Sequence, residues 1–333
     1  MTHPDAKSEA RCQTLPPVTG GLIRVPAFPW RLNDAGFIQA GHVLKLTDIV
    51  GSEAAIRFIH QYVTADPKPV VVTASVDRTN FISPIHAWEM IRMQSHVTRV
   101  WTTSMEVTVN VFAENFYTGE PRHVATSNLV FVAVDPASRR KVNLPEWQPD
   151  TETTRAEAAE ADRRRDNRKL EGKVAPFLPI TGDDDPVILD QSMTIHDANA
   201  QSNVFGGILL DLIDEVGALA AQEQALKQTV VGVRLDRMSF IAPTFIGETV
   251  EARAIVTKTW RTSMEVQVEL EALNPHTGDR RQVASSYLVY VRVGADGRKA
   301  EVPPFIPRTE RQQQRAEAAD RRRAIRQQEE RAS

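Results

Sequence analysis

The sequence predicts an α+β chain made of two copies of one domain, each an antiparallel sheet wrapped around a central helix. Three observations lead there: an internal repeat, one long apolar helix in each copy, and strands of alternating polarity behind it. The repeat comes first, because it sets the unit of folding. "WTTSMEV" begins at Trp101 and "WRTSMEV" at Trp260, an offset of 260 − 101 = 159 residues. At that offset Val71–Val134 aligns without a gap on Val230–Val293, so that "VVTASVDRTNFISP" meets "VVGVRLDRMSFIAP". Further upstream, "AGHVLKLTDIVGSEAA" (Ala40–Ala55) meets "GGILLDLIDEVGALAA" (Gly206–Ala221) at an offset of 166, so copy one carries 166 − 159 = 7 extra residues between these segments.

In the second copy Ile208, Leu209, Leu212, Ile213, Val216, Leu219 and Ala220 recur at helical spacing, and the apolar stripe is wide enough for a helix covered on most sides. After the helix the period changes to two. Met105, Val107, Val109 and Val111 alternate with polar residues in copy one, as Met264, Val266, Val268 and Leu270 do in copy two, which is the pattern of half-buried strands. "NFYTGE" (Asn115–Glu120) and "NPHTGD" (Asn274–Asp279) supply a glycine where a hairpin needs positive φ. A buried helix followed by about four antiparallel strands is the order of a hotdog domain. The chain then divides into a flexible N-terminal tail (1–20), hotdog domain 1 (21–144), a helical linker (145–180), hotdog domain 2 (181–302) and a C-terminal helix (303–333). The segments after Pro145 and Pro303, rich in Arg, Glu and Ala and including the matched strings "RAEAAEADRRR" and "RAEAADRRR", read as helices with a solvated charged face.

Composition narrows the function. With 333 residues, 41% apolar and 25% charged, each half can bury its own core. A net charge of −3 gives no basic field and no nucleic-acid motif is present, so a nucleic-acid partner is not expected. One cysteine, Cys12, excludes an internal disulfide or a cysteine metal site and fits a reducing cytoplasm. The histidines are scattered without ligand spacing, so no metal is expected. No segment has the length and apolarity of a membrane span or of a signal peptide, so no membrane partner is expected either.

Chemistry is expected at the loop entering the second helix, "DANAQSNVFGG". Gly206 and Gly207 leave backbone N–H groups uncovered at the positive end of a helix, which suits an oxyanion developing on a carbonyl. Tight packing of the helix explains the same Gly-Gly pair. Asp48 and Asp214 occupy matched positions two turns into each helix among apolar neighbours, where a carboxylate is costly unless paired or used.

Together "DANAQSNVFGG", "LIDEVGALAA", "DRMSFIAP", "TSMEV", "EVPPFIP" and "VVTASVDRTNF" make the chain resemble the tandem-hotdog acyl-CoA thioesterases, most nearly the cytosolic long-chain acyl-CoA hydrolase type. The resemblance covers both copies and the helix after each. It implies an acyl-CoA hydrolase needing no cofactor, since coenzyme A is part of the substrate, and a trimer of double hotdogs in the cytoplasm. It also implies one site between the copies, with Asn203 of the second and Asp48 of the first as its catalytic pair. Phe37 stands where Asn203 does in the other copy, which leaves Asp214 in a degenerate second site. Gly206 and Gly207 are then the oxyanion donors. Ser104 and Ser263, with Thr103 and Thr262, offer hydroxyls to substrate, although "TSMEV" reads more readily as strand packing. The coenzyme A phosphates need cations, for which Arg78, Arg237, Lys258 and Arg261 are candidates. Two rivals stand beside this reading. One is a hotdog hydratase or dehydratase, which needs a histidine, yet His42 has only Ile208 as its counterpart. The other is a module that binds acyl-CoA without cleaving it, against which Asn203 and Asp48 both argue.

Overall fold

The computed structural model describes residues 20–171, 177–199 and 203–332. The expected tail, and Cys12 with it, lies outside the described residues except for residue 20. The first copy runs β1 (Gly21–Pro26), α1 (Ala40–Tyr62), β2 (Val70–Val76), β3 (Thr79–Asn80), β4 (Met90–Val100), β5 (Ser104–Glu114), β6 (Pro121–Val134) and α2 (Glu152–Glu171). The second runs β7 (Val187–Ser192), α3 (Gly206–Gln224), β8 (Val230–Leu235), β9 (Met238–Phe240), β10 (Thr249–Thr259), β11 (Ser263–Leu273), β12 (Arg280–Arg292) and α4 (Glu310–Ala332).

The strands form one antiparallel sheet in the order β1-β4-β5-β6-β2-β9-β12-β11-β10-β7, with β3 pairing β8. The copies join through Ser75↔Ser239 and Val76↔Met238, and again through Thr79↔Leu235 and Asn80↔Arg234. Each domain carries six strands where the sequence reading expects about four, the extra ones being the short β3 or β9 and an edge strand before the helix. β1 and β7 precede their helices and pair along the outer edges of β4 and β10. Gly119 and Gly278, in the two matched hairpins, hold φ of 70° and 76°.

The apolar faces of the strands meet the helices as the alternation requires. Met105, Val107, Val109, Val111, Met264, Val266, Val268 and Leu270 are fully buried. The opposite face departs from expectation. Glu106 and Glu265, one residue along in each "TSMEV", are also fully buried, because α2 and α4 lie across that face. Arg164 donates to Glu106 at 2.6 Å and Arg168 at 3.2 Å, while Arg322 and Arg326 reach Glu265 at 2.6 and 2.8 Å. Trp101 Nε1 donates to Asp162 at 2.8 Å, and Trp260 Nε1 to Asp320 at 3.0 Å. Arg165 and Arg323 stack over the same two indoles at 4.7 and 4.6 Å. The charged helices are thus not simply solvated: one face of each is bolted to the sheet. The repeated Trp-x-x-Ser-Met-Glu string is the strip on which that helix lands.

α1 and α3 pack against each other with their N-terminal turns side by side, and no side chain of their own caps either one: Gln39 and Phe205, at the N-cap positions, make no capping hydrogen bond. The cap comes from the other copy. Gly207 N–H donates to Asp48 Oδ2 at 2.7 Å, and Gly41 N–H donates to Asp214 Oδ2 at 2.7 Å. Such approach requires glycine: a Cβ at Gly207 would lie 2.9 Å from the Lys45 carbonyl, and one at Gly41 would lie 2.9 Å from that of Asp211. Gly217 is similarly constrained, since a Cβ there would fall 2.6 Å from the hydroxyl of buried Tyr290. Gly217→Ala is therefore expected to lower the free energy of unfolding by about 1–3 kcal/mol, the usual range for overpacking. Urea titration against wild type checks it, and an unchanged midpoint would refute the crowding.

Candidate active site

Asp48 sits two turns into α1, fully buried beneath the N-terminus of α3. Its Oδ2 accepts from Gly207 N–H at 2.7 Å, and its Oδ1 accepts from the Thr73 hydroxyl on β2 at 2.7 Å. Gly206 completes the contact, because a Cβ there would stand 3.0 Å from Asp48 Oδ2, 3.2 Å from Phe240 Cζ and 3.3 Å from Thr73 Cβ. Burial pushes the Asp48 carboxyl up to about 6, although the hydrogen bonds from Thr73 and Gly207 pull the other way. A carboxylate poised there exchanges protons near neutral pH, as a general base must.

Asn203 lies three residues before Gly206, on a short segment that pairs with the loop after β9: Asn203 bridges Phe245, and Val204 N–H donates to the Thr244 carbonyl at 2.8 Å. Its backbone N–H is held by Asn199 Oδ1 at 3.1 Å. Its side-chain Oδ1 is buried without a hydrogen-bond partner among the described residues. No hydrogen bond joins Asn203 to Asp48 among the described residues; what relates them is α3, whose Gly207 holds Asp48 and whose first turn Asn203 precedes. A buried acceptor with no protein partner is a group that a water or ligand can satisfy.

The second carboxylate is built differently. Asp214 accepts from Gly41 N–H and, at 3.0 Å, from the Tyr290 hydroxyl, and burial again raises it to about 6. Phe37 faces His86 edge-on, with ring centroids 5.1 Å apart, where the first site has Asn203 and Phe245. Thr73 is replaced by Gly232 and Phe131 by Tyr290 at the 159-residue offset. Sequence reading had singled out neither Thr73 nor Tyr290. Both are points where the aligned strings "VVTASV" and "VVGVRL", or "LVFVAV" and "LVYVRV", disagree.

The other expected site residues separate. Gly207 N–H is already engaged by Asp48, so it orients the carboxylate instead of standing open for an oxyanion. Ser104 and Ser263 share strand parity with Glu106 and Glu265, so they lie on the sheet face that α2 and α4 cover, opposite Asp48. Among the expected phosphate ligands, Arg237 pairs with Asp77 at 3.2 Å, Arg78 approaches Asp236 at 3.9 Å across the seam, and Lys258 holds Asp320 at 3.1 Å. Arg261 is exposed.

Comparison with known proteins agrees with this architecture. The family model described as "Thioesterase superfamily" matches residues 35–119 and 201–278, one segment in each copy. The cytosolic acyl coenzyme A thioester hydrolase of Homo sapiens is 29% identical over 324 residues, covering 91% of this chain and 82% of the relative. An uncharacterized acyl-CoA thioester hydrolase of Zymomonas mobilis is 31% identical over 127 residues, covering 38% of this chain and 84% of its own length. Among solved structures, a putative oleoyl thioesterase from Lactobacillus plantarum superposes with a TM-score of 0.57 at 9% identity, covering 83% of this chain and 97% of that one, a likeness of fold. The chain belongs to the thioesterase superfamily, with two hotdog domains in tandem. It is an enzyme that hydrolyses acyl-CoA thioesters. No helix among the described residues is long and apolar enough to cross a membrane.

Proposed function

We propose that the chain hydrolyses fatty acyl-CoA to free fatty acid and coenzyme A at a single site between its two domains, with Asp48 as general base. The observation that carries this reading is the Asp48 carboxylate, buried in one domain and bound to the first turn of the helix of the other. In the reaction Asp48 takes a proton from water as the oxygen bonds to the thioester carbon. The carbonyl oxygen gains negative charge at the N-terminus of α3, with the Gly206 N–H as its nearest backbone donor. Asn203, whose side-chain oxygen lacks a partner, orients the water. The C–S bond then breaks and the thiolate leaves with the proton held by Asp48. The acyl chain lies in apolar surroundings between helix and sheet, where each buried CH₂ contributes about 0.8 kcal/mol. The resemblance to a relative named cytosolic supports a cytoplasmic setting, and a trimer of double hotdogs is the assembly expected from the same resemblance.

The test is release of free thiol from palmitoyl-CoA, followed with a thiol dye. A second expectation concerns pH. Because the base must be ionised, kcat/KM rises with pH through about 6, set by Asp48, and levels off above it. Asp214→Asn leaves that limb in place. A limb that disappears in Asp214→Asn and persists in Asn203→Ala would assign the base to the wrong domain.

A further inference from the structure

The turn after β6 of the first domain lays a cation on an aromatic ring of the second. Arg139, in the turn after β6 of the first domain, places its guanidinium 5.2 Å from the centre of the Phe245 ring of the second domain. Phe245 is the bridge partner of Asn203, and residues directly opposite in an antiparallel bridge project to the same face with Cβ atoms about 5 Å apart. Arg139 and the unpartnered Asn203 oxygen therefore share one neighbour. Arg281 also stacks on Phe245 at 5.2 Å, but it is neutralised by Glu248 through bonds of 2.7 and 2.6 Å. Arg139 is exposed and forms no ion pair among the described residues.

Its backbone sharpens the point. Arg139 has φ of 57°, a conformation glycine adopts freely and other L-residues at a cost. The matched turn of the second domain bridges Val293 to Lys299 and is one residue shorter than the bridge from Val134 to Lys141; two residues before the lysine it has Gly297, φ 74°. The ring matched to Phe245 there is His86, beside Phe37. The left-handed position is thus an arginine in the first domain's turn and a glycine, followed by Arg298, in the second's.

We propose that Arg139 is a substrate-binding residue that receives the phosphate groups of coenzyme A at the entrance of the Asp48 site. This rests on the acyl-CoA reading given above. A guanidinium forks onto phosphate oxygens with two charge-assisted hydrogen bonds. Held on an aromatic face it is partly pre-ordered, so little freedom is lost when the phosphate arrives.

The experiment compares the full-length wild type with Arg139→Gly, titrated calorimetrically with coenzyme A and, separately, with pantetheine, which lacks the phosphates. Glycine suits the left-handed turn, so the variant is expected to unfold at a urea concentration no lower than wild type. Coenzyme A is expected to bind about tenfold more weakly to the variant, the scale of one lost charge-assisted contact. Pantetheine binding stays unchanged. Equal losses for both ligands, or an unchanged affinity for coenzyme A, would overturn the assignment. Failure of the hydrolysis reading shows separately, as a wild type that binds coenzyme A yet releases no thiol from palmitoyl-CoA.

Discussion

Asp48→Asn is expected to cut thioester hydrolysis roughly 10²–10⁴-fold, the usual loss when a general base is removed, in a protein that remains folded. The geometry makes this substitution informative. Asparagine has the same shape, and its oxygen can still accept from Gly207 while the Thr73 hydroxyl turns to accept from the new amide. What it lacks is a site for the proton. The variant also gains stability. The raised carboxyl of Asp48 binds its proton more tightly in the folded chain than in the unfolded one. Its favourable contribution is thus complete below about pH 4 and is lost as pH rises through about 6. At pH 8 wild type bears the full cost of a buried charge and Asp48→Asn does not. Thiol release and urea unfolding at that pH should move in opposite directions. A variant equally active would count against Asp48 as the base, and one that unfolds more easily would count against the cost of the buried charge.

Glu265→Ala is expected to be the most damaging change to the fold, at about 3–5 kcal/mol, the range for breaking a buried ion pair on one side. Glu265 is fully buried and accepts from Arg322 and Arg326, and Arg326 itself is 5% exposed. Without the carboxylate, two guanidinium groups lose their main partner under α4. Asp236 still holds Arg326 at 2.7 Å, which leaves Arg322 as the group that must find water. Burial pushes the Glu265 carboxyl up, yet the two arginines outweigh it and the net shift is downward. The pair's stabilisation is accordingly present above the unfolded carboxyl range and lost as pH falls through the depressed folded value. Urea unfolding at neutral pH measures the loss. Proteolysis within 303–333 that is faster in the variant locates it to α4. An unchanged midpoint would mean that the ion pairs do not hold the helix.

These two residues show what sequence alone could and could not yield. Asp48 was readable because a charge in the middle of "LKLTDIVG" contradicts the apolar period around it. Glu265 was not, because a glutamate alternating with Met264 and Val266 fits the solvent side of a two-sided strand. Its partners Arg322 and Arg326 lie 57 and 61 residues further on, beyond any local period. β1 and β7 were missed for a related reason: they are short edge strands set before the helices, outside the pattern that marks the others. At Gly206 and Gly207 the structure shows close packing: a Cβ on either would crowd its neighbours, and the second also donates its N–H to Asp48. Thr73 is legible only as a difference between the copies, where "VVTASV" meets "VVGVRL".

The most direct test of a single site shared by the two domains is a crystal structure of Asp48→Asn bound to uncleaved palmitoyl-CoA. The thioester carbonyl is expected at the N-terminus of α3, within hydrogen-bond reach of Gly206 N–H and close to Asn203 and residue 48. A thioester seated instead beside Asp214 and Tyr290, at the N-terminus of α1, would contradict the account.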